Sequence, residues 1–465
     1  MRIFLLTLLG LITISCSESD KEETAYFGGH ILNPKSTQVF LYKDAKLIDS
    51  TVLSRGAKFS FNVKSPHLGL YSFKHGMQSQ AIYLEPNDSL LMRLNTWDFN
   101  GSLMFSGKGA GRNNFLINLY IQEAKSQRAF NSKYYKLNED EFNAVIDSIH
   151  QVKNLLYTQF KSEVKDRSAE FDKIAEAAIL YPLYEKKEAY AFRARRSQRL
   201  TELPEMSPNF YAFRKDLEIN DEKLAYFYAH FDYVQTYLYH KSFAQEAKDS
   251  SYFWVNYMQN GLKELQIESV KNDILREGIW GVLMNHDITV NERDKAQRLF
   301  FDHCTDSVFV KQISNLIRTS EKIKKGNLIP NISLVDIDEK PKQLYDLISG
   351  QNTALYTWPT NDLAIENFAK RLNYLEKHYP DFLFIGINTK NHPLDWLKHI
   401  KQKNINKDHQ FMLEKSTDWL SIDFPIAILI DKNNIVQNNM TLLAYTRFEK
   451  QLRSLSQEPV VADAN

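Results

Sequence analysis

Cysteine is the residue type in this chain that could do the most distinctive chemistry, and it occurs at only two positions, Cys16 and Cys304. Two thiols are too few for a disulfide framework or for a four-thiolate zinc site. Cys304 follows an apolar stretch that begins at Leu299, so we expect a buried, inert thiol rather than a nucleophile. His303 is not expected to activate it, because the side chains of adjacent helical residues point apart.

The histidines of the middle part of the chain show no spacing typical of a metal site. They are His230, His240, His286 and His303, and none belongs to a His-Glu-x-x-His motif. An arginine cluster lies nearby, and a solvated helix face is its expected role, with an anion site as the alternative. Its members are Arg193, Arg195, Arg196 and Arg199. The sequence therefore predicts no metal ion and no cofactor.

The length and net charge of the chain indicate how many domains and which kinds of partner to expect. The chain has 465 residues, and 58 Lys and Arg against 57 Asp and Glu leave a formal charge of +1. No strong basic field is present to attract nucleic acid, so we expect no nucleic-acid partner. A chain of this length is too long for one compact core, and its 13% of aromatic residues favours packed elements over disorder. Several domains are therefore expected.

The N-terminus is arranged like a targeting signal. A single cation precedes the apolar stretch 3–14, which is too short to span a bilayer and has the layout of a signal peptide. Ser15 and Cys16 resemble the lipobox of bacterial lipoproteins, although Thr13 stands where that motif prefers leucine. The resemblance implies a signal peptide over residues 1–15 and a lipid on Cys16, followed by a polar tether over 16–24. A plain secretory signal is the alternative.

A lipid on Cys16 would anchor the mature chain to a membrane of the bacterial cell envelope. We expect the outer membrane, with the protein facing the periplasm or the cell surface. The segment Lys21-Glu22-Glu23 resembles the acidic surface-export signals of some envelope lipoproteins. The membrane is therefore an expected partner through the lipid anchor.

Residues 25–108 consist of short runs that alternate apolar and polar residues, separated by turn-forming residues. The run 58–63 has the period of two that is typical of a half-buried strand, and 85–88 is a turn segment. Short, regularly spaced strands predict a small antiparallel β-sandwich. Asp49 and Asp88 are expected to be turn residues rather than ligands.

Residues 110–325 carry apolar side chains at the three- and four-residue spacing of helices. Phe142, Ile146 and Ile149 are examples of this pattern. The aromatic stretch 224–239 is expected to form the centre of a helical core, with an aromatic binding groove as the alternative. The sequence therefore predicts an α-helical middle domain.

Residues 326–453 alternate strand and helix patterns, which predicts an α/β domain. Their order resembles the TlpA-like thioredoxin-fold family of disulfide oxidoreductases. Trp358 matches the tryptophan before the redox turn, and 423–436 matches a signature of proline, strand, aspartate, turn and strand, so Pro425 should be the family's cis-proline. The β and helical regions that precede it resemble the envelope lipoproteins of this family. We therefore expect a multidomain α+β chain with a C-terminal thioredoxin-like domain and a tail over 454–465.

The chain departs from this family at the two positions that carry its chemistry. The attacking cysteine would fall at Asp362 and the resolving cysteine at Ile365. Thiol–disulfide exchange needs both thiols, because the first attacks a disulfide of the substrate and the second releases the resulting mixed disulfide. Asp362 starts a helix predicted to run to His378, and it is expected to cap that helix, with a general acid or base as the alternative. The resemblance thus implies a redox turn that has lost its cysteines.

Three functions stay open at this point. The first is a redox-inactive, lipid-anchored envelope protein that binds a peptide or protein partner in a groove lined by Trp358, Phe424 and Pro425, since strand addition uses backbone groups. The second is a thiol-disulfide oxidoreductase or peroxidase that uses Cys304 or a cysteine of its partner. The third is a structural lipoprotein of an envelope assembly.

Overall fold

The computed structural model describes residues 23–64, 67–76, 78–165, 167–249, 251–285, 288–359, 362–389, 391–414 and 425–457, without the side chains of residues 249 and 362–364. Within these ranges the chain is mixed α+β, with three sheets and twelve α-helices. The predicted signal peptide, Cys16 and most of the predicted tether lie outside the described residues. None of the helices in the described ranges has the length and apolar character that crossing a bilayer requires.

Eight strands form two sheets at the start of the described chain. They are β1 (Thr24–Leu32), β2 (Gln38–Lys43), β3 (Lys46–Val52), β4 (Lys58–Lys64), β5 (Gly69–His75), β6 (Gln78–Leu84), β7 (Ser89–Asn95) and β8 (Met104–Lys108). One sheet has the order β4-β1-β7-β8 and the other β3-β2-β5-β6. Alternate residues of β4, Phe59, Phe61 and Val63, are buried in a core shared with Leu41 and Phe73 of the second sheet. The predicted sandwich is therefore present.

Two details of the sandwich prediction are wrong. The sandwich is not purely antiparallel, because β1 and β7 run parallel, from the pair Tyr26 and Ser89 to the pair Leu32 and Asn95. Five strands, β2 to β6, come between them in the sequence, and this long connection lets β7 enter the first sheet in the same direction as β1. Asp49 is not in a turn but on β3, an exposed edge strand, where a charged side chain is readily accommodated.

A buried ion pair joins the sandwich to the first helix, α1 (Ala110–Ser132). Arg112 of this helix is 1% exposed, and its guanidinium lies 2.8 Å from Glu85 Oε2 and 2.6 Å from Asp88 Oδ1. Asp88 lies between β6 and β7, as the turn prediction requires, and accepts a hydrogen bond from the backbone N–H of Glu85. Its carboxylate therefore shapes the turn and also holds the helix against the sheet.

Seven further helices form the middle of the chain. They are α2 (Glu139–Glu163), α3 (Ala169–Gln198), α4 (Tyr228–Asp249), α5 (Phe253–Glu264), α6 (Glu268–Leu283), α7 (Val290–His303) and α8 (Ser307–Lys322). Leu224, Phe227, Tyr233 and Leu238 are buried in one apolar cluster, so the aromatic stretch does form a helical core. The arginines at the end of α3 are exposed, which agrees with a solvated helix face.

The rest of the described chain is an α/β unit. Its elements are β9 (Ser333–Val335), β10 (Pro341–Gln343), α9 (Leu344–Ile348), β11 (Asn352–Thr357), α10 (Asp362–His378), β12 (Phe382–Asn388), α11 (Pro393–Gln402), β13 (Gln410–Leu413), β14 (Ala427–Ile430), β15 (Val436–Thr441) and α12 (Thr446–Gln457). One sheet has the order β10-β9-β13-β12-β11-β14-β15. Strands β11, β12 and β13 run parallel, while β14 is antiparallel to β11 and β15. These elements occur in the predicted order, although α12 continues to Gln457, into the segment predicted as a tail.

The residues on the two sides of position 325 share one core. A single apolar cluster contains Phe300 and Leu316 of the last two middle helices together with Leu355, Ile385 and Ile428 of the seven-stranded sheet. Burial of apolar surface from both parts in one cluster stabilises them together. The domain limits drawn from the sequence therefore remain a prediction.

Candidate functional site

Trp358 lies directly after β11, at the point where a redox turn would begin. Its backbone N–H donates to the carbonyl oxygen of Ile387, at 3.0 Å, which fastens the residue to β12. Its ring packs beside Phe368, with centroids 5.6 Å apart, and edge-on to Trp396 at 6.3 Å. Only 2% of Trp358 is exposed. The indole is therefore part of the core beneath the turn and offers little surface to a partner.

Gln410 holds this tryptophan in place and was missed by the sequence analysis. Its Oε1 accepts hydrogen bonds from Trp358 Nε1 at 2.9 Å and from the Tyr356 hydroxyl at 3.2 Å. Gly386 leaves the space for it, because an added Cβ would lie 2.1 Å from that oxygen. Burial raises the pKa of Tyr356 and keeps its hydroxyl protonated as a donor. A glutamine at the start of an otherwise apolar strand was the signal that could have identified this residue.

Pro425 lies next to Trp358 in space, although 67 positions later in the chain. The backbone N–H of Thr357 donates to the carbonyl oxygen of Ile426 at 2.9 Å, and Ile426 N–H donates back to Thr357 Oγ1 at 2.9 Å. Continuing this antiparallel register by one residue places Pro425 opposite Trp358. Pro425 is exposed. Phe424 and the peptide bond that precedes Pro425 lie outside the described residues, so the cis-proline expectation stays a prediction.

Helix α10 begins at the residue expected from the sequence. Asp362 is the first residue of α10, and the cap and acid–base roles stay predictions because its side chain is not among those described. Ile365 is 2% exposed and packs in the cluster that contains Ala369 and Leu372. The position that matches the resolving cysteine is therefore a core residue of the helix.

The start of the turn is fixed by the loop after β12. Asn391 Nδ2 donates to the carbonyl oxygen of Pro359 at 3.0 Å, and the backbone N–H of Asn391 donates to Asn388 Oδ1 at 2.9 Å. Asn388 is buried at the end of the strand. Side-chain amides that bridge backbone groups in this way rigidify loops. Pro359 is thus held by the loop after β12, and that loop is in turn fixed by Asn388.

Cys304 is buried, as the sequence predicted. It ends α7, is 9% exposed, and packs in the shared core with Phe300 and Ile313. Its Sγ has a weak contact with the carbonyl oxygen of Asp306, at 3.9 Å. Burial raises the pKa of the Cys304 thiol, and a thiol with a raised pKa forms little of the reactive thiolate. Cys304 is the one cysteine in the described part of the chain.

The histidines of the middle helices contact structural partners. His230 Nε2 lies 3.2 Å from the carbonyl oxygen of Glu218, and His240 Nδ1 lies 2.9 Å from Glu188 Oε2. Arg214 donates to both oxygens of the buried Glu188, each at 2.6 Å. Across the described ranges, no group of three or more His, Cys, Asp or Glu side chains is placed to hold a metal ion.

Solved structures of other proteins resemble only part of this chain. No protein-family model matches it, and no curated protein matches its sequence. Solved structures that match include a candidate thiol-disulfide oxidoreductase of Bacteroides vulgatus, at 21% identity, with a TM-score of 0.25, over 29% of this chain and 98% of that one. The thioredoxin domain of a thiol-disulfide oxidoreductase from Bacteroides vulgatus matches at 22% identity and a TM-score of 0.23, over 28% of this chain and 98% of that one. A thiol:disulfide interchange protein from Bacteroides sp. matches at 23% identity and a TM-score of 0.22, over 25% of this chain and 81% of that one. These similarities carry no conclusion about activity.

Proposed function

We propose that this chain is a lipid-anchored protein of the bacterial cell envelope whose thioredoxin-like part performs no disulfide exchange and binds a peptide or protein partner. The observation that carries this proposal is that position 365 holds no thiol but an isoleucine packed in the core. Exchange needs a second thiol three residues after the first, and that position is filled by an apolar side chain packed in the core. Asp362, at the matching first position, supplies a carboxyl group in place of a thiol.

The alternative of an oxidoreductase or peroxidase that uses Cys304 has less support. Its thiol is buried in the shared core and has a raised pKa, whereas redox-active cysteines are accessible and have lowered pKa values. A cysteine contributed by a partner would not complete the exchange reaction either. Position 365 is an isoleucine, so no resolving thiol is present there to release a mixed disulfide.

Support for binding comes from the geometry at the end of β11. Pro425 is exposed and lies opposite Trp358, and hydrogen bonds within the sheet fix the backbone of Thr357, Trp358 and Ile426. An extended peptide adds to a protein as a strand by pairing with exposed backbone groups, and the exposed Pro425 lies where this pairing would begin. The proposed binding site includes Pro425 and, as the sequence predicts, Phe424.

A peptide array tests the binding site. We expect a subset of extended eight-residue peptides to bind the purified chain, and we expect Phe424→Asp or Pro425→Gly to weaken that binding by about tenfold or more, since hot-spot residues typically contribute at least that much. Tyr374→Ala is the matched control, because Tyr374 is an exposed aromatic residue of α10 away from this point. Removing the sandwich is not a clean control, because Tyr83 belongs to the helical core.

The outcomes of the array separate the binding and structural functions. Peptides that bind the parent chain and Tyr374→Ala, but not Phe424→Asp or Pro425→Gly, would support the proposed binding site. Absence of bound peptides, or binding that is indifferent to residues 424 and 425, would contradict it and favour the structural lipoprotein, for which the core shared across position 325 would provide rigidity.

Metabolic labelling tests the anchor. In a bacterium that processes lipoproteins, the chain should incorporate a labelled fatty acid and sediment with membranes, because the segment that ends at Cys16 resembles a lipobox. Cys16→Ala should abolish both results, while Cys304→Ser, which removes the other cysteine, should leave them unchanged. Labelling that persists without Cys16 would contradict the proposed anchor.

A further inference from the structure

A cleft of about 370 Å³ lies between the middle helices and the start of the last helix. Its walls combine aromatic rings with one acidic and one basic side chain. They are formed by Tyr239, Trp254, Glu277, Trp280, Gly281, Met284, Asn285, Tyr445 and Arg447. A cleft of this size is within the range that small-molecule sites occupy. It lies apart from Trp358 and Pro425, and neither of those residues lines it.

The aromatic wall of the cleft is built by close packing against a helix. Trp254 lies directly on Gly281 of α6, where an added Cβ would come within 2.2 Å of the indole ring. Tyr239 meets that indole edge-on, with centroids 5.6 Å apart and planes at 86°. Glycine at position 281 is therefore required for the indole to lie against the helix backbone, and the ring orientation is fixed before any ligand arrives.

Glu277 forms the acidic part of the wall and is already oriented. Its carboxylate accepts hydrogen bonds from the Tyr257 hydroxyl and from Gln235 Nε2. A carboxylate can accept about four hydrogen bonds, so an ammonium group of a ligand could add to those two. Burial raises the pKa of Glu277, and the hydrogen bonds from these two donors act in the opposite direction by favouring the carboxylate form.

Arg447 forms the basic part, on α12. One of its nitrogens donates to the carbonyl oxygen of Met284, across the end of α6, and its guanidinium lies 5.1 Å from the ring centre of Tyr445. The planar guanidinium has five donors, so donors remain beyond the one that Met284 uses. No ion pair joins Arg447 to Glu277 in the described part of the chain. One acidic and one basic side chain therefore line the same cleft without contacting each other in an ion pair.

We propose that this cleft binds a free amino acid with an aromatic side chain. Arg447 would hold its carboxylate, Glu277 would hold its ammonium group, and the rings of Trp254, Trp280 and Tyr445 would pack against its side chain. The opposite charges at one site match the two ends of a zwitterion, and the aromatic walls match a flat apolar group. This binding function is independent of the proposed peptide site.

Titration calorimetry with four simple ligands tests this inference on the full chain. L-Phenylalanine should bind saturably and at least about tenfold more tightly than 3-phenylpropionate, which lacks the ammonium group, or phenethylamine, which lacks the carboxylate. L-Alanine, which lacks the ring, should bind at least as weakly as these two. Absence of saturable phenylalanine binding at millimolar concentration would overturn the inference, as would equal affinity for phenylalanine and the truncated ligands.

Two variants assign the ends of the ligand. Arg447→Gln should weaken phenylalanine binding by about tenfold or more while leaving phenethylamine unchanged, and Glu277→Gln should weaken phenylalanine but leave 3-phenylpropionate unchanged. Arg453→Gln is the matched control, because Arg453 lies on the same helix and its side chain is 54% exposed. A variant that weakens all ligands equally would contradict the assignment. If a variant does not fold, the affinities of the four ligands for the parent chain still decide whether the cleft binds an aromatic amino acid.

Discussion

Replacing Arg112 with methionine should lower the free energy of unfolding by about 3–5 kcal/mol, the typical cost of removing one partner from a buried ion pair. The guanidinium is 1% exposed and contacts both Asp88 and Glu85. Methionine fills part of the space but leaves the carboxylate of Asp88 buried without its cation. Because this pair links the sandwich to α1, we expect it to be the most sensitive position for stability.

Urea unfolding followed by circular dichroism would measure this loss. Arg93→Met is the control, since Arg93 is exposed on β7 of the same sheet, and its effect should stay within about 0.5 kcal/mol. Burial raises the pKa of Asp88 even beside Arg112. Without the cation the folded-state pKa should rise further, so protonation favours the folded variant and part of the loss should be recovered as the pH falls. A loss no larger than that of the control would contradict the role of the pair.

Placing cysteines at positions 362 and 365 should give the chain disulfide-exchange activity. We expect Asp362→Cys combined with Ile365→Cys to reduce insulin in the presence of dithiothreitol at least about tenfold faster than the parent chain, because a thiol at the start of α10 has its pKa lowered by the helix dipole. The buried position 365 would supply the second thiol that releases the mixed disulfide. Loss of the isoleucine methyl groups should cost about 1–2 kcal/mol.

The single variant Ile365→Cys is the control for this gain. It has a thiol at the buried position 365 and none at position 362, so its rate should remain at background. Activity in the single variant equal to that of the double variant would mean that the thiol at 362 is not the attacking group. No activity in a folded double variant would mean that the turn geometry differs from that of the family.

The elements of the α/β unit could be predicted because their signals are local. An apolar run followed by Trp358, the helix from Asp362 to His378 and the apolar strand after Pro425 are each readable within a short window. The burial of Cys304 could be predicted for the same reason, since the apolar residues before it lie on its own helix.

Features that depend on distant pairing could not be read from such windows. The parallel pairing of β1 with β7 depends on where the chain re-enters the first sheet, which periodicity does not encode. Gln410 contacts Trp358 across 52 residues of sequence, and the cleft that contains Trp254 and Arg447 forms only where two separate parts of the chain pack together. Polar residues in these places look like surface residues until their partners are known.

The insulin reduction rate of the parent chain tests the central claim most directly. It should be measured on the mature protein with dithiothreitol as reductant, beside Cys304→Ser and the double cysteine variant as a positive control. We predict that the parent chain and Cys304→Ser both stay at the uncatalysed rate, because Asp362 and Ile365 carry no thiol and the Cys304 thiol is buried with a raised pKa. Turnover by the parent chain that disappears in Cys304→Ser would contradict this account.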